Sequence, residues 1–373
     1  MLTFDYLDTL AYVILPLYYE YERRVINSIV RRLANVELSS AATWQLQRLI
    51  ESGAVYEDVL SELSRLTGKS EKTLRQIFSK AGIKATQFDD SIYRAAGLSP
   101  KPLNMSPAMA DILNIGFQKT NGLLTNLTAT TAFSAQNSFI DALDRAYFEV
   151  STGAFDYNTA IKNAVIDVAD KGLRVIQYAG RDERLDVAVR RAVLTGVNQT
   201  AGMLTEARAD EMGTDLVQTS AHIGARNQGD VPENHEMWQG RVFSRTGVDY
   251  PNFYEITGYG TGEGIYGWNC RHSHYVFFKG ISEAAYQEAE LESYADKTVT
   301  YNGKEMSWYE ATQQQRSIER HIRSWKRKAA GLEAAGLDNI AELAKVKQWQ
   351  GRMRDFVKQT GIYRQSERER VYE

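Results

Sequence analysis

Apolar positions recur at the helical interval along most of this chain. Over 2–35, Tyr12, Leu15, Tyr19, Val25 and Ile29 alternate with glutamates and arginines, which predicts a helix. A second is expected over 41–52, ending at Gly53. A third is expected over 71–81, with Ser70 as cap, Leu74, Ile77, Phe78 and Ala81 on one face, and Gly82 as the left-handed stop. Short amphipathic helices of this kind need a packing partner. The stretch 98–105 holds Pro100 and Pro102 and reads as a linker, after which Ser106-Pro107 restarts a helix in cap-then-proline order. Further helices are expected near 107–120, 134–150, 158–171 and 182–212, the last with Leu185, Val189, Ala192, Val193 and Leu204 for a core. Beyond Gly213 the texture changes. Short apolar runs at 215–220, 241–244 and 273–278 read as strands, and 298–306 as a hairpin turning at Asn302-Gly303. Helices return over 307–330 and 338–358, and no internal repeat is found.

This pattern predicts an α+β chain that is predominantly helical, with a small β-containing core. Four segments are expected: helical regions at 1–105 and 106–212, a loop-rich core at 213–306, and a basic helical region at 307–373. The length suits two or three domains of about 100–200 residues. Six prolines among 373 residues favour long helices, and a 43% hydrophobic, 24% charged composition excludes general disorder.

The net charge of −3 selects neither nucleic acid nor membrane. Its distribution says more, because 316–370 carry fourteen Lys and Arg against seven Asp and Glu. A basic end of this kind meets acidic surfaces or phosphates. The single cysteine, Cys270, excludes an internal disulfide framework and fits a reducing compartment. Asp5 and Asp8 interrupt the start, and the apolar run 10–17 is too short to span a bilayer. The expectation is a protein made and kept in the cytoplasm, or in something assembled there, with no membrane partner.

Four of the five histidines (His222, His235, His272, His274) and Cys270 fall within 53 residues, beside Arg226, Trp238, Gly240, Trp268, Asn269 and Arg271. Three chemistries compete. A zinc site could draw on His222, His235, Cys270 and His272. The spacing speaks against it, since Cys-x-His-x-His alternates along one strand face and neither CxxC nor HxxxH anchors the other half. A nucleophilic Cys270 would need His235 or His222 as base and a lowered thiol pKa. The third reading is structural: His, Asn, Arg and Trp side chains satisfy the backbone of segments that have no ladder of their own. The third is preferred; it needs no cofactor and names no catalytic residue.

Two nucleotide-loop signals fail. The run from Gly258 to Gly264, with Gly267 following, leads into Trp268-Asn269-Cys270 rather than into a helix N-terminus. Gly68-Lys69-Ser70 lacks the leading glycine, because Leu63 stands in its place.

The ordered series His222-Ile-Gly-Ala-Arg226, His235-Glu-Met-Trp238-Gln-Gly240-Arg-Val-Phe-Ser244, Gly258-Tyr-Gly-Thr-Gly262, Gly267-Trp-Asn-Cys270-Arg-His272-Ser and Phe278-Lys-Gly-Ile-Ser282 resembles the phage minor capsid protein 2 family. That family is related to the Mu F-like head morphogenesis proteins, which share a His…Gly…Cys-Arg core. The likeness extends outward from the N-terminal helices to the C-terminal end. One departure is Asn227-Gln-Gly-Asp-Val, where a short proline-containing turn after Arg226 is expected. The resemblance implies a Mu F-like core and a minor component of the phage head, present in a few copies near the portal vertex or inside the shell. It implies the portal protein and the major capsid or scaffold protein as partners, with the N-terminal helices as the docking element. Some relatives travel with the DNA into the host.

Arg316, Arg320, Arg323 and Arg327 recur at helical spacing and predict a continuous stripe, with Ile322 and Trp325 on the buried side. A solvated face is the ordinary reading. Contact with packaged double-stranded DNA, or with an acidic ring of the portal, is the functional one. The rival class is an enzyme carried in the virion, such as an ADP-ribosyltransferase-like core. It would need Arg226 with Glu255 or Glu263 facing a nicotinamide-sized pocket.

Overall fold

The computed structural model describes residues 2–176 and 182–371. Its helices in chain order are α1 (Phe4–Ala34), α2 (Ala41–Ala95), α3 (Pro107–Ala129), α4 (Thr131–Ser151), α5 (Tyr157–Lys171), α6 (Leu185–Met212), α7 (Phe253–Thr257), α8 (Glu288–Ala295), α9 (Trp308–Ala334) and α10 (Ile340–Thr360). The strands are β1 (Arg174–Ile176), β2 (Asp182–Arg184), β3 (Leu216–Thr219), β4 (Val242–Ser244), β5 (His274–Val276), β6 (Thr298–Tyr301) and β7 (Lys304–Ser307). The fold is α+β and predominantly helical, as the hydrophobic period predicts. No helix among the described residues is long and apolar enough to cross a membrane.

The largest departure from the expected elements is α2. Helices predicted over 41–52 and 71–81 belong to one helix of 55 residues. No proline interrupts it, and a glycine inside a helix costs only about 1 kcal/mol, which packing offsets. Gly82 is not a stop: a Cβ there would lie 2.7 Å from Leu113 Cδ2, so its bareness admits α3. Ser70 is not a cap either. It is buried in mid-helix, and its hydroxyl pairs with Tyr18 Oη at 2.8 Å. Gly68-Lys69-Ser70 is therefore interior helix and cannot cradle a phosphate.

Contacts group the residues into two compact units, each assembled from three stretches of chain. The first comprises 1–13, 71–123 and 190–311. Here α3 and α6 cross closely through reciprocal small residues: Gly116 lies under Thr200, and Gly196 under Thr120. The 213–306 stretch lies within this unit. Its main sheet is antiparallel in the order β4-β3-β5, with Val217 opposite both Phe243 and Val276. The β6–β7 hairpin turns at Asn302 and Gly303, both at positive φ as a type I′ turn demands.

The second unit comprises 14–70, 124–189 and 312–373. Gly331 of α9 admits close approach to Ala169 of α5, where a Cβ would lie 2.4 Å from the alanine's own. The antiparallel pairing of β1 with β2 went unpredicted. Its Arg184 donates to the carbonyls of Asp170 and Lys171 at 2.8 Å each and reaches the buried Glu22 and Asp186. Burial pushes the Glu22 carboxyl up. Burial acts on Asp186 in the same sense, but Arg184, Arg323 and Arg327 overcome it and hold that carboxyl down.

Gly53 is exposed in the interior of α2, and nothing lies within 4 Å of the place a methyl group would take on it. Gly53→Ala is expected to stabilise the protein by about 0.5–1 kcal/mol, through helix propensity and a less flexible unfolded chain. Denaturant unfolding checks this; a destabilised variant would contradict the uninterrupted helix.

Candidate functional site

β3 organises the site with its polar side chains. Gln218 donates to Gly240 O at 2.9 Å and accepts from Tyr275 Oη at 3.0 Å, while Thr219 donates to Trp238 O at 2.9 Å. The stretch 258–273 forms neither helix nor strand. Some of its carbonyls are met by its own amides, as Gly262 O is by Trp268 N–H, and others by side chains from outside it. Asn198 of α6, 1% exposed, donates to Cys270 O at 3.3 Å and His272 O at 3.2 Å. Gln199 donates to Tyr266 O at 3.2 Å. Arg226 donates to Glu263 O at 3.3 Å and Trp268 O at 3.0 Å, and His235 Nε2 lies 2.8 Å from the same Glu263 carbonyl. Trp238, fully buried, donates to Pro232 O at 3.1 Å across the cis Val231-Pro232 turn. That proline comes six residues after Arg226, at the end of the longer connection that departs from the short turn expected of the family.

The glycines here make room for backbone. A Cβ on Gly264 would lie 2.3 Å from the carbonyl oxygens of Thr257 and Gly258, and one on Gly267 the same distance from Gly262 O. Two strands of loop cross with no side chain between them, so the run is a crossing point and not an anion cradle. Asn269 and Tyr266 take positive φ in the same crossing. Trp268 is 63% exposed, contrary to its expected place in the knot, and its indole covers Gly262.

Inside this framework the imidazoles gather. His272 stacks on His222 at 4.4 Å between ring centroids and meets His235 edge-on at 5.2 Å. Trp238 packs on His235 at 4.6 Å and on His272 at 4.8 Å. Gln239 Oε1 accepts the His222 backbone N–H at 3.1 Å and faces His272 Nε2 at 3.2 Å. Cys270 Sγ lies 3.6 Å from His272 Nδ1. One ligand atom each from His235, Cys270 and His272 falls within 4.8 Å of the others, so these three could hold a metal ion. His274 leaves the group: its ring turns to Tyr266 and Glu206, and the Cys-x-His-x-His alternation is broken because β5 begins only at residue 274.

Burial sets the electrostatics. It lowers His222 and His235 to about 4 and holds His272 well below the usual imidazole range, so all three rings are neutral near pH 7. It pushes the Cys270 thiol up to about 11. The nucleophile weighed for Cys270 with His235 or His222 as base asked for a lowered thiol pKa, and burial moves it the other way. The nearest imidazole is His272, and a thiol of this pKa holds its proton. Arg271 pairs with Asp8 at 3.0 Å and Gly240 makes a positive-φ turn, so both support the framework.

Sequence reading missed Asn198, Gln199, Gln239 and Glu206. Their signal was polarity in the middle of an apolar helix, for α6, and adjacency to Trp238. Glu206 accepts from His274 Nε2 at 2.8 Å, Tyr254 Oη at 2.5 Å and Arg245 Nε at 3.1 Å. Burial alone would raise its carboxyl, but the hydrogen bonds from His274 and Tyr254 and the Arg245 charge hold it at about 2.

The arginine stripe of α9 is not one exposed surface. Arg320 is exposed, whereas Arg327 is only 5% exposed, Arg316 and Arg323 are half-buried, and Arg323 donates to Arg368 O. The buried Glu22, Asp186 and Glu319 draw these cations inward. Ile322 is buried as expected; Trp325 is half-buried under Lys328.

Fold and site together define an α+β scaffold whose buried polar side chains are engaged by its own backbone. The chain belongs to the phage minor capsid protein 2 family, whose model matches residues 2–358. It is similar to a structural protein of Lactococcus phage LL-H, 23% identical over 365 residues that cover 93% of this chain and 94% of the relative. It is also similar to a structural protein of Lactococcus phage mv4, 29% identical over 125 residues, 33% of this chain and 92% of the relative. No solved structure matches it. The chain is thus of a phage structural kind, a virion protein by family.

Glu206 yields an acid-stability prediction. Its folded pKa is depressed from 4.5 to about 2, so its contribution is complete above pH 4.5 and is lost as pH falls toward 2. Glu206→Gln should cost about 3 kcal/mol at neutral pH and flatten the stability profile across that acid window. Urea unfolding at a series of pH values reads both; an unchanged acid limb would remove Glu206 from this role.

Proposed function

We propose that the chain acts as an architectural joint in the phage head, bound to portal or shell during assembly, with no reaction of its own. The observation that carries this reading is an apolar row at the start of α2: Leu46, Leu49 and Ile50 are 58%, 73% and 57% exposed. Positions i, i+3 and i+4 share one helix face, and a contiguous exposed apolar face marks a protein contact. It falls in the N-terminal helical region that family resemblance assigns to docking on the portal, major capsid or scaffold protein.

A second surface suits packaged duplex DNA. On α10, Lys347, Arg354 and Lys358 are exposed and lie seven and four residues apart, opposite the buried Val346, Met353, Phe356 and Thr360. Cations in a row pair with phosphates without reading sequence. The basic C-terminal region would thus contact DNA through α10, with Arg320 of α9 as the member of the expected stripe that remains outward.

The enzymatic alternative finds less support. The Arg226 guanidinium is engaged by two carbonyls, and the exposed Glu263 carboxyl is raised by its pairing with Glu233. An arginine so engaged is poorly placed to take a dinucleotide phosphate.

Two experiments test the reading. Supplied in trans to a phage lacking the gene, a Leu46→Glu/Leu49→Glu/Ile50→Glu variant should fold, by circular dichroism, yet be depleted from purified heads at least about tenfold. Wild-type incorporation of the folded variant ends the docking assignment. For DNA, retention of duplex at low salt should fall steeply with rising salt and be largely lost in Lys347→Glu/Arg354→Glu/Lys358→Glu. Absence of retention by the wild-type chain at low salt ends that part.

A further inference from the structure

We propose that His235, Cys270 and His272 form a buried structural site for a soft divalent cation of the zinc class. The three residues come from two separate loop segments, and their ligand atoms converge within 4.8 Å. Bond lengths of about 2.3 Å to sulfur and 2.0–2.1 Å to nitrogen at a tetrahedral angle place the two ligand atoms about 3.6 Å apart. Cys270 Sγ and His272 Nδ1 are separated by 3.6 Å.

The surroundings are those of ligating imidazoles. His235 Nε2 faces Glu263 O at 2.8 Å, and His272 Nε2 faces Gln239 Oε1 at 3.2 Å. Both acceptors are carbonyl oxygens, so each ring carries its proton on Nε2 and its lone pair on Nδ1. A metal-bound histidine is held in the same way, through a hydrogen bond from the nitrogen that does not ligate. Asn198, tied to the carbonyls of Cys270 and His272, fixes the backbone from which two of the ligands project. Thiolate and imidazole together select zinc over magnesium or calcium, which prefer oxygen.

Exposures of 2%, 8% and 1% for His235, Cys270 and His272, under the Trp238 ring, make this a closed site. On binding, the cation replaces the Cys270 thiol proton, which passes to solvent, and a Zn–S bond forms with no change of oxidation state. The fourth position falls to water, since the His222 ring is stacked on His272 and its Nδ1 faces Ile223 O. The ion would staple the 235–239 turn to the 258–273 loop, a join that otherwise rests on hydrogen bonds.

The test uses the full-length chain, purified under reducing conditions without a histidine tag. Elemental analysis should find about one zinc per chain. Exchange to cobalt should produce a thiolate-to-cobalt charge-transfer band in the near ultraviolet. Cys270→Ser should lose that band and His235→Gln should lower the bound metal severalfold, while His321→Gln, outside the cluster, keeps wild-type stoichiometry. If the variants misfold, the wild-type band decides alone, since Cys270 is the one thiol in the chain. A folded wild-type chain that takes up neither zinc nor cobalt overturns the proposal, as does a band that persists in Cys270→Ser.

Discussion

Sixteen residues of backbone between 258 and 273, partly buried and partly at the surface, have neither sheet nor helix to receive their amides and carbonyls. A buried peptide carbonyl without a partner costs on the order of 1–3 kcal/mol, so such a segment exists only where its surroundings supply donors. Asn198, Gln199, Arg226 and His235 supply them, each reaching a carbonyl of the segment. The sheet, the tryptophan and the glycine crossings are arranged around that requirement. The same requirement occupies the polar ends of His235, Arg226 and Trp238 with backbone oxygen.

Burial decides the chemistry that remains. It holds the Cys270 thiol protonated and the His235 and His272 imidazoles neutral. Neutral imidazoles with one nitrogen hydrogen-bonded to a carbonyl are, however, suited to ligate a metal through the other. This core belongs to a member of the phage minor capsid protein 2 family. The surfaces proposed for partners lie elsewhere, on the apolar row of α2 and the cationic row of α10.

Local sequence carried much of this architecture. The cap-then-proline start at Ser106-Pro107, the Asn-Gly turn of the last hairpin and the short strands after Gly213 all follow from rules that act over a few residues. Gly53 and Gly82 misled for the same reason. A glycine permits a helix end without requiring one, and whether α2 stops is decided by what packs on it, here Leu113 against Gly82. The arginines of α9 show the limit again. Their spacing puts them on one face, but the carboxylates of Glu22 and Asp186, far away along the chain, join the neighbouring Glu319 in turning part of that face inward.

The sequence by itself determined the helical class, the change of texture beyond residue 213 and the family to which the ordered motifs belong, because periodicity, turn chemistry and motif order are written along the chain. Tertiary structure decided which histidines meet. His274 stands four residues from Cys270 yet turns to Glu206, while His235 arrives from 35 residues away. Side-chain convergence depends on where loops cross, and loop crossings are fixed by glycine contacts and buried hydrogen bonds that no local rule encodes.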